Sequence, residues 1–223
     1  TGNRNPVILN LLNYQERHVI IPETGDYFPV LLDDTLFFLM AVEDGFAIMS
    51  YDLSSGLYSE LIRGDLTCLR SNKGFLYYSE KNGVFQLNAK GEIINQFIFE
   101  YPIQSFDLID NNLIVSLLDR IQYDLFLYNV EDLKLIRLTD TEYNEVDVIF
   151  QSQINSIFSS NKTGNYGIYK QKVSFENVPS DYQLVFETKN ADIFYPFFSD
   201  IYSKIVACVF ETGKEPRLLI IPY

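Results

Sequence analysis

The feature that most constrains the fold is an internal repeat of short apolar runs joined by polar turns. A run–turn–run unit recurs about every 38 to 43 residues, with turns at 52–56 and 88–91 and further units at 123–138 and 165–187. Gly, Asn, Asp and Ser at the turns supply the positive φ angles and local hydrogen bonds that tight hairpins need. The spacing is that of one four-stranded blade of a β-propeller.

Each of these hairpins follows another pair of strand-like runs, so the units contain about four strands each. The sequence therefore predicts about five four-stranded blades, at approximately 26–63, 64–99, 100–139, 140–189 and 190–223. The last of them has three strand-like runs, and residues 6–22 supply two more. We predict that residues 6–22 close the last blade and thereby remove a free sheet edge. A six- or seven-bladed propeller, or a fragment of a larger one, is the alternative.

Composition supports an all-β fold in a single domain. Apolar residues make up 47% of the 223 residues, and the aromatic residues are 18 Phe and 16 Tyr without Trp. Phe and Tyr, together with many Ile, Leu and Val, favour strands over helices. This apolar content is sufficient for a sizeable core.

The charge of the chain excludes two classes of partner. A formal net charge of −13 at pH 7 repels nucleic-acid phosphates and anionic membrane surfaces, and no basic stripe offsets it. No run of 18 or more apolar residues occurs, so we expect no transmembrane segment. The chain begins Thr1-Gly2 rather than with Met, which fits either a removed signal peptide or a piece of a longer protein.

One stretch resembles a known family of repeats. Residues 123–169 include a strand ending in LTDT at 138–141 and the run IFSSNKTGNYGIY at 157–169. This stretch resembles the TolB-type, WD-repeat-like propeller repeat, which also occurs in tricorn-like and prolyl-oligopeptidase-like propellers. The Ser-Pro-Asp-Gly turn usual in that family is replaced here by Phe150, Gln151, Ser152 and Gln153. The resemblance implies a periplasmic protein that works by contacting other proteins, and a cytoplasmic location is the alternative.

Catalytic and metal-binding motifs are missing from the sequence. His18 is the only histidine, which makes a catalytic triad or a zinc site improbable on residue count. Cys68 and Cys208 lie far apart in apolar runs and are expected to be two core thiols. There is no P-loop, dinucleotide-binding glycine motif, calcium loop or G-x-S-x-G elbow, so no cofactor and no metal are predicted.

Acidic residues leave a catalytic alternative open. Some five-bladed propellers are glycosidases that use carboxylates from different blades, and Asp34, Asp107 and Asp147 are candidates near inner strands. An accessory propeller of a peptidase is the other hydrolase alternative. The absence of Trp weighs against a sugar site.

Tyrosines recur where the chain enters the innermost strands. They are Tyr27, Tyr101, Tyr143 and Tyr195, and Glu100 and Glu142 directly precede two of them. Tyrosine offers a large contact area with a hydrogen-bonding tip, which interfaces favour. We therefore predict an aromatic ring with an acidic rim that binds a protein or peptide segment. The alternative is that each tyrosine packs against the next blade.

The sequence thus predicts a monomeric, non-enzymatic binding or scaffold propeller with a protein or peptide partner, in the periplasm or otherwise exported. A hydrolase is the alternative from another functional class.

Overall fold

The computed structural model describes residues 7–9, 16–18, 26–88, 90–176 and 181–223, with side chains described from residue 28 onward. These residues form 21 strands and no helix, and every strand pairing is antiparallel. No helix that could cross a bilayer occurs in these residues. The all-β class predicted from the repeat is confirmed.

Two compact units divide the chain, Thr1–Ile98 and Phe99–Tyr223. The first unit contains a short hairpin and two four-stranded sheets. Its strands are β1 (Val7–Leu9), β2 (Glu16–His18), β3 (Asp26–Leu32), β4 (Thr35–Val42), β5 (Gly45–Asp52), β6 (Tyr58–Gly64), β7 (Leu66–Asn72), β8 (Phe75–Glu80), β9 (Gly83–Leu87) and β10 (Ile93–Ile98).

The second unit contains two four-stranded sheets and one three-stranded sheet. Its strands are β11 (Ile103–Ile109), β12 (Asn112–Asp119), β13 (Gln122–Asn129), β14 (Lys134–Arg137), β15 (Glu145–Ser152), β16 (Asn155–Ser160), β17 (Gly167–Lys172), β18 (Gln183–Phe186), β19 (Ala191–Ser199), β20 (Lys204–Glu211) and β21 (Arg217–Pro222).

In each of these five larger sheets, strands consecutive in the chain are neighbours, as in the blades of a propeller. The predicted five-bladed β-propeller fold is therefore confirmed, with the last blade described by three strands. β1 and β2 pair with each other through Val7–His18 and Leu9–Glu16. Closure of the last blade by residues 6–22 stays a prediction.

Continuous apolar runs become strands that are buried on both faces. In β15 the first six residues are all buried, because neighbouring blades cover both sides of this innermost strand. Phe158 in the neighbouring strand β16 is fully buried. Burial of a phenylalanine side chain stabilises the folded state by about 1.5–3 kcal/mol relative to exposure. The outer strands are more open, and in β10 five of the six residues are exposed.

The two cysteines predicted to be core thiols differ in burial. Cys68 is buried in β7 and Cys208 is half-buried in β20. Burial raises the pKa of the Cys208 thiol, and the nearby Asp147 carboxylate raises it further.

A β-bulge interrupts the pairing near the beginning of the innermost strand in all five blades. The skipped positions follow Tyr27, Leu66, Ile103, Val146 and Phe194. A bulge leaves a residue unpaired and re-aims its side chain. Three bulge residues, Phe28, Asp147 and Tyr195, have φ values of 52°, 54° and 55°. The repeat therefore places one conformationally strained residue at the same point of several blades.

One glycine at a strand end is required by the approach of the backbone. Gly45 begins β5 at φ +128°, and a Cβ there would lie 2.7 Å from the carbonyl oxygen of Gly64 at the end of β6. Any side chain would force these two strands apart.

Candidate functional site

The structure places the predicted tyrosines at different offsets from the bulges. Tyr101 precedes β11, Tyr143 precedes β15, and Tyr195 lies at the bulge within β19. Tyr101 and Tyr143 are half-buried, and Tyr195 is 47% exposed. Tyr27 lies in β3, but its side chain falls outside the described part of the chain. A single ring formed by the four tyrosines stays a prediction.

The two predicted acidic residues are exposed beside their tyrosines. A hydrogen bond with the Glu142 carboxylate raises the pKa of the Tyr143 phenol. The Tyr143 N–H donates to Thr141 Oγ1 over 3.1 Å, which orients this entry segment. Glu100 directly precedes Tyr101 in the segment that leads into β11. Both acidic residues are accessible to a partner.

Tyr195 is held in an unusual backbone conformation. A bulky residue with φ near +55° is an outlier that costs roughly 1–3 kcal/mol and persists only where the surroundings impose it. Here the Tyr195 N–H donates to Asp147 Oδ2 over 3.1 Å. The bulge and this hydrogen bond leave the ring of Tyr195 partly in solvent.

Asp147 connects the bulges of three successive blades. Its Oδ1 accepts from Gln104 Nε2 over 2.8 Å, and its N–H donates to Gln104 Oε1 over 3.0 Å. Its Oδ2 accepts from Tyr195 N–H. Asp147 is 3% exposed, and hydrogen bonds to both oxygens make burial of this carboxylate tolerable. The bulge residues of β11, β15 and β19 therefore form one connected network.

Tyr195 belongs to a group of four rings, which we call the aromatic cluster: Tyr166, Phe194, Tyr195 and Phe210. Phe194 is central, with ring-centroid distances of 4.5 Å to Tyr166, 5.8 Å to Phe210 and 6.1 Å to Tyr195. The ring pairs are tilted or edge-on, as aromatic quadrupoles prefer. All four side chains are half-buried or exposed, so the cluster offers apolar surface to solvent.

One side chain and one backbone N–H of β19 hold Tyr166 against Phe194. The Tyr166 N–H donates to Asp192 Oδ1 over 2.9 Å, and its carbonyl accepts from Ile193 N–H over 2.9 Å. Burial raises the pKa of the Tyr166 phenol, and Asp192, Asp147 and Glu145 raise it further. Three carboxylates therefore raise the pKa of the same hydroxyl.

Glu145, the first residue of β15, is fully buried at the junction of several strands. Its Oε1 accepts from Tyr182 OH over 2.8 Å, Thr141 Oγ1 over 3.0 Å and Ser160 Oγ over 3.3 Å. Its Oε2 has no hydrogen-bond partner among the described residues. Burial raises the pKa of Glu145, because an unpaired buried oxygen disfavours the charged form.

A second buried carboxylate belongs to the same region. Asp124 in β13 is 1% exposed, and burial raises its pKa to about 6. Its Oδ2 lies 3.3 Å from Arg137 Nη2, and the same guanidinium pairs with Asp119 and, over 3.0 Å, with Asp140. Arg137 thus pairs with three aspartates. The Glu145 carboxylate raises the pKa of Asp124 further.

Two of the three carboxylates considered for a glycosidase have structural hydrogen-bond partners. Asp107 Oδ2 accepts from the backbone N–H of Phe150 over 2.7 Å, and Asp147 is held as described. Asp34 is exposed in the other compact unit. His18 lies in β2, and its side chain is outside the described part. Within the described ranges, no group of three or more His, Cys, Asp or Glu is arranged to hold a metal ion.

Sequence reasoning missed Tyr166, Phe194, Phe210 and Asp192. Tyr166 and Phe194 stand in runs that match strands of the repeat, and such runs predict core packing. The only usable signal was the density of aromatic residues at 194–198, FYPFF. The contact between a residue before β17 and one in β19 depends on tertiary structure, so spacing along the chain does not reveal it.

Comparison with solved structures supports the fold. A putative TolB from Agrobacterium tumefaciens superposes with a TM-score of 0.77 at 14% identity, over 96% of this chain and 83% of that chain. The β-propeller domain of the Trilobed protease from Pyrococcus furiosus, described as having an open velcro topology, gives 0.62 at 12% identity over 96% and 83%.

A larger protein contains the same fold as one part. The tricorn protease gives a TM-score of 0.70 at 9% identity, covering 94% of this chain and 24% of that chain. No protein-family model matches the sequence, and no curated protein sequence matches it either. At these identities the likeness is one of fold, and the TolB-type propeller fold suggested by residues 123–169 is confirmed.

Proposed function

We propose that this chain is a non-enzymatic, TolB-like propeller that binds a protein or peptide segment through the aromatic cluster and through Tyr101 and Tyr143 with their acidic neighbours Glu100 and Glu142. The observation that carries the proposal is Tyr195, whose strained backbone is held by a buried aspartate while its ring stays 47% exposed. Strain of this kind concentrates at functional sites. Exposed aromatic rings on a rigid scaffold suit recognition of a partner chain.

The hydrogen bonding of the carboxylates supports a non-catalytic role. A catalytic acid or base must reach the reacting group, and a raised pKa is one sign of such a residue. Glu145 and Asp124 have raised pKa values, but they are 0% and 1% exposed and are held by neighbouring side chains. Asp107 and Asp147 accept backbone N–H groups of neighbouring strands. These four acids therefore fit a structural role better than a hydrolytic one.

We also propose that the protein is exported, in the periplasm or another envelope compartment, and acts as a monomer. The support is the TolB-type resemblance over residues 123–169 together with the fold shared with the putative TolB.

A comparative capture experiment tests the binding role. The immobilised wild-type protein and the triple variant Tyr101→Ala, Tyr143→Ala, Tyr195→Ala are exposed to extract of the cells that make the protein, and bound proteins are quantified by mass spectrometry. We expect a partner that the wild type retains and the triple variant loses. Circular dichroism must show that the variant is folded.

A matched control removes exposed tyrosines elsewhere. The variant Tyr58→Ala, Tyr223→Ala changes two side chains that are 55% and 42% exposed, in β6 and after β21. It should retain the partner. Equal capture by the wild type and the triple variant would show that the tyrosines are not the binding site, and capture of nothing by the wild type would contradict the binding role.

A further inference from the structure

The aromatic cluster and its carboxylates have the chemistry of a site for a positively charged side chain. Two of its rings are anchored through their backbone N–H groups by carboxylates, Tyr166 by Asp192 and Tyr195 by Asp147. A neutral N–H donor stabilises a carboxylate without cancelling its charge. The backbones of Tyr166 and Tyr195 therefore lie directly against the carboxylates of Asp192 and Asp147.

The electrostatic effect of these charges is visible at neighbouring groups. Asp192, Asp147 and Glu145 all raise the pKa of the Tyr166 phenol, and Asp147 raises that of the Cys208 thiol. Glu145 contributes when it is ionised, and its Oε2 has no partner in the described part of the chain. Carboxylates at this position favour the approach of a cation to the cluster.

The described residues supply no internal cation for Asp192. None of their lysine or arginine side chains forms an ion pair with its carboxylate. The cation–π contacts of the second unit use other rings, among them Lys162 over Tyr182 and Lys170 over Tyr223. The faces of Tyr166 and Phe194 are thus not covered by a cation of this unit.

We propose that the aromatic cluster, with the half-buried carboxylate of Asp192, recognises a lysine or arginine side chain in an extended segment of the partner protein. This inference rests on the proposed binding function and specifies its ligand. The aromatic faces attract the cation and the alkyl stem packs on the rings. The Asp192 carboxylate supplies charge complementarity, and the net charge of −13 increases the rate of encounter with a basic segment.

Fluorescence anisotropy with defined peptides tests the ligand class. The probe is a fluorescein-labelled octapeptide (Gly-Lys)₄, compared with the same peptide carrying Nε-acetyl-lysine and with (Gly-Glu)₄. We expect binding of the lysine peptide only, with affinity that falls as NaCl rises from 20 to 150 mM. Equal binding of the acetylated peptide would overturn the proposal, because acetylation removes the charge while keeping the alkyl stem.

Variants separate the site from general attraction to an acidic protein. Phe194→Leu and Asp192→Asn should each weaken binding of the lysine peptide by at least about five-fold, as expected for loss of a cation–π or charge contact. Asp132→Asn removes one charge from an exposed turn between β13 and β14 and should change affinity less than about two-fold. Equal losses in all three variants would show non-specific attraction and overturn the site.

The peptide experiment and the capture experiment can fail independently, so failure of the ligand class is distinguishable from failure of the proposed binding function. If a natural partner is captured through the tyrosines while the lysine peptide does not bind, the ligand class is wrong and the binding function stands. If no captured protein depends on the tyrosines while binding of the lysine peptide depends on Phe194 and Asp192, the cation site stands and the proposed binding of a partner through Tyr101, Tyr143 and Tyr195 is wrong.

Discussion

At the scale of single residues, two aspartates of the second unit combine an unusual backbone conformation with a side-chain hydrogen bond. Asp147 and Asp110 both have positive φ, 54° and 53°, and both carboxylates accept from a glutamine side chain. They differ in burial, since Asp147 is 3% exposed and Asp110 lies in an exposed turn. Because aspartate and asparagine both tolerate this backbone conformation, substitution of one by the other tests hydrogen bonding without adding strain.

We expect Asp147→Asn to lower the free energy of unfolding by about 1–3 kcal/mol. If the NH2 group of the new side chain faces Gln104 Nε2, two hydrogen-bond donors oppose each other. If Gln104 turns its oxygen toward the new amide, the N–H of residue 147 loses its acceptor instead. One buried donor is left unsatisfied either way. Urea unfolding measures the loss.

Asp110→Asn is the matched control for this prediction. Its partner Gln153 is exposed, and water can replace the 2.6 Å hydrogen bond between them. The change in free energy of unfolding should stay within about 0.5 kcal/mol. Equal effects of the two substitutions would contradict the role of Asp147 as the buried link between bulges.

At the scale of strands and sheets, successive inner strands are joined by side chain-to-backbone hydrogen bonds at a constant offset. Ser105 Oγ accepts from Val148 N–H and Asp107 Oδ2 from Phe150 N–H, in each case 43 residues apart. The repeat period thus appears directly as a contact between β11 and β15. Glu145 stands at the beginning of β15 and links the same strand to Ser160 in β16, Tyr182 and Thr141.

The buried acids make the stability of this region depend on pH. Burial raises the folded-state pKa of Asp124 to about 6 and also raises that of Glu145, whereas the unfolded values are about 4. The folded state therefore binds these protons more tightly, and the resulting stabilisation is complete below pH about 4. It is lost as pH rises through the folded pKa values.

We expect the free energy of unfolding of the wild type, relative to Glu145→Gln, to fall between pH 4 and pH 7. The amide of the variant is neutral throughout this range, so it does not lose a proton. Urea unfolding at intervals of pH measures the difference. The groups that face Glu145 are Asp124, with Arg137 behind it, and the phenols of Tyr182 and Tyr166.

A control for the pH effect is Glu176→Gln, which changes an exposed carboxylate in the same unit. Its difference from the wild type should vary little over the same range, because this side chain is in contact with solvent in the folded as well as the unfolded state. A constant difference between wild type and Glu145→Gln would show that Glu145 does not titrate differently on folding.

At the scale of the whole molecule, the last blade has three described strands and β21 is its outer edge. An unpaired edge strand invites association with other chains. The repeat count predicts that residues 6–22 supply the missing pairing.

A chain that begins at Asp26 should therefore lose protection of the β21 amides in hydrogen exchange, while the amides of β10 keep theirs. We also expect the midpoint of thermal unfolding to fall by at least about 4 °C. Unchanged exchange in Arg217–Pro222 would show that residues 6–22 do not pair with this edge.

The sequence by itself determined the architecture. Turn residues at a period of about 40 residues, with apolar runs between them, specify hairpins, and hairpins of this spacing stack as blades. That information is local, because each turn and each strand pair is encoded within about twenty residues. It also led correctly to a buried thiol at Cys68, whereas Cys208 is only half-buried.

The site depended on tertiary structure. Tyr143 and Tyr195 look equivalent in the sequence, but the strand register places one before β15 and the other at a bulge within β19. The aromatic cluster joins Tyr166 to Phe194 across two blades, and the unpaired Oε2 of Glu145 follows from the arrangement of four segments around it. Register, bulges and contacts between blades arise from packing of residues distant in the chain, and a local pattern carries no record of them.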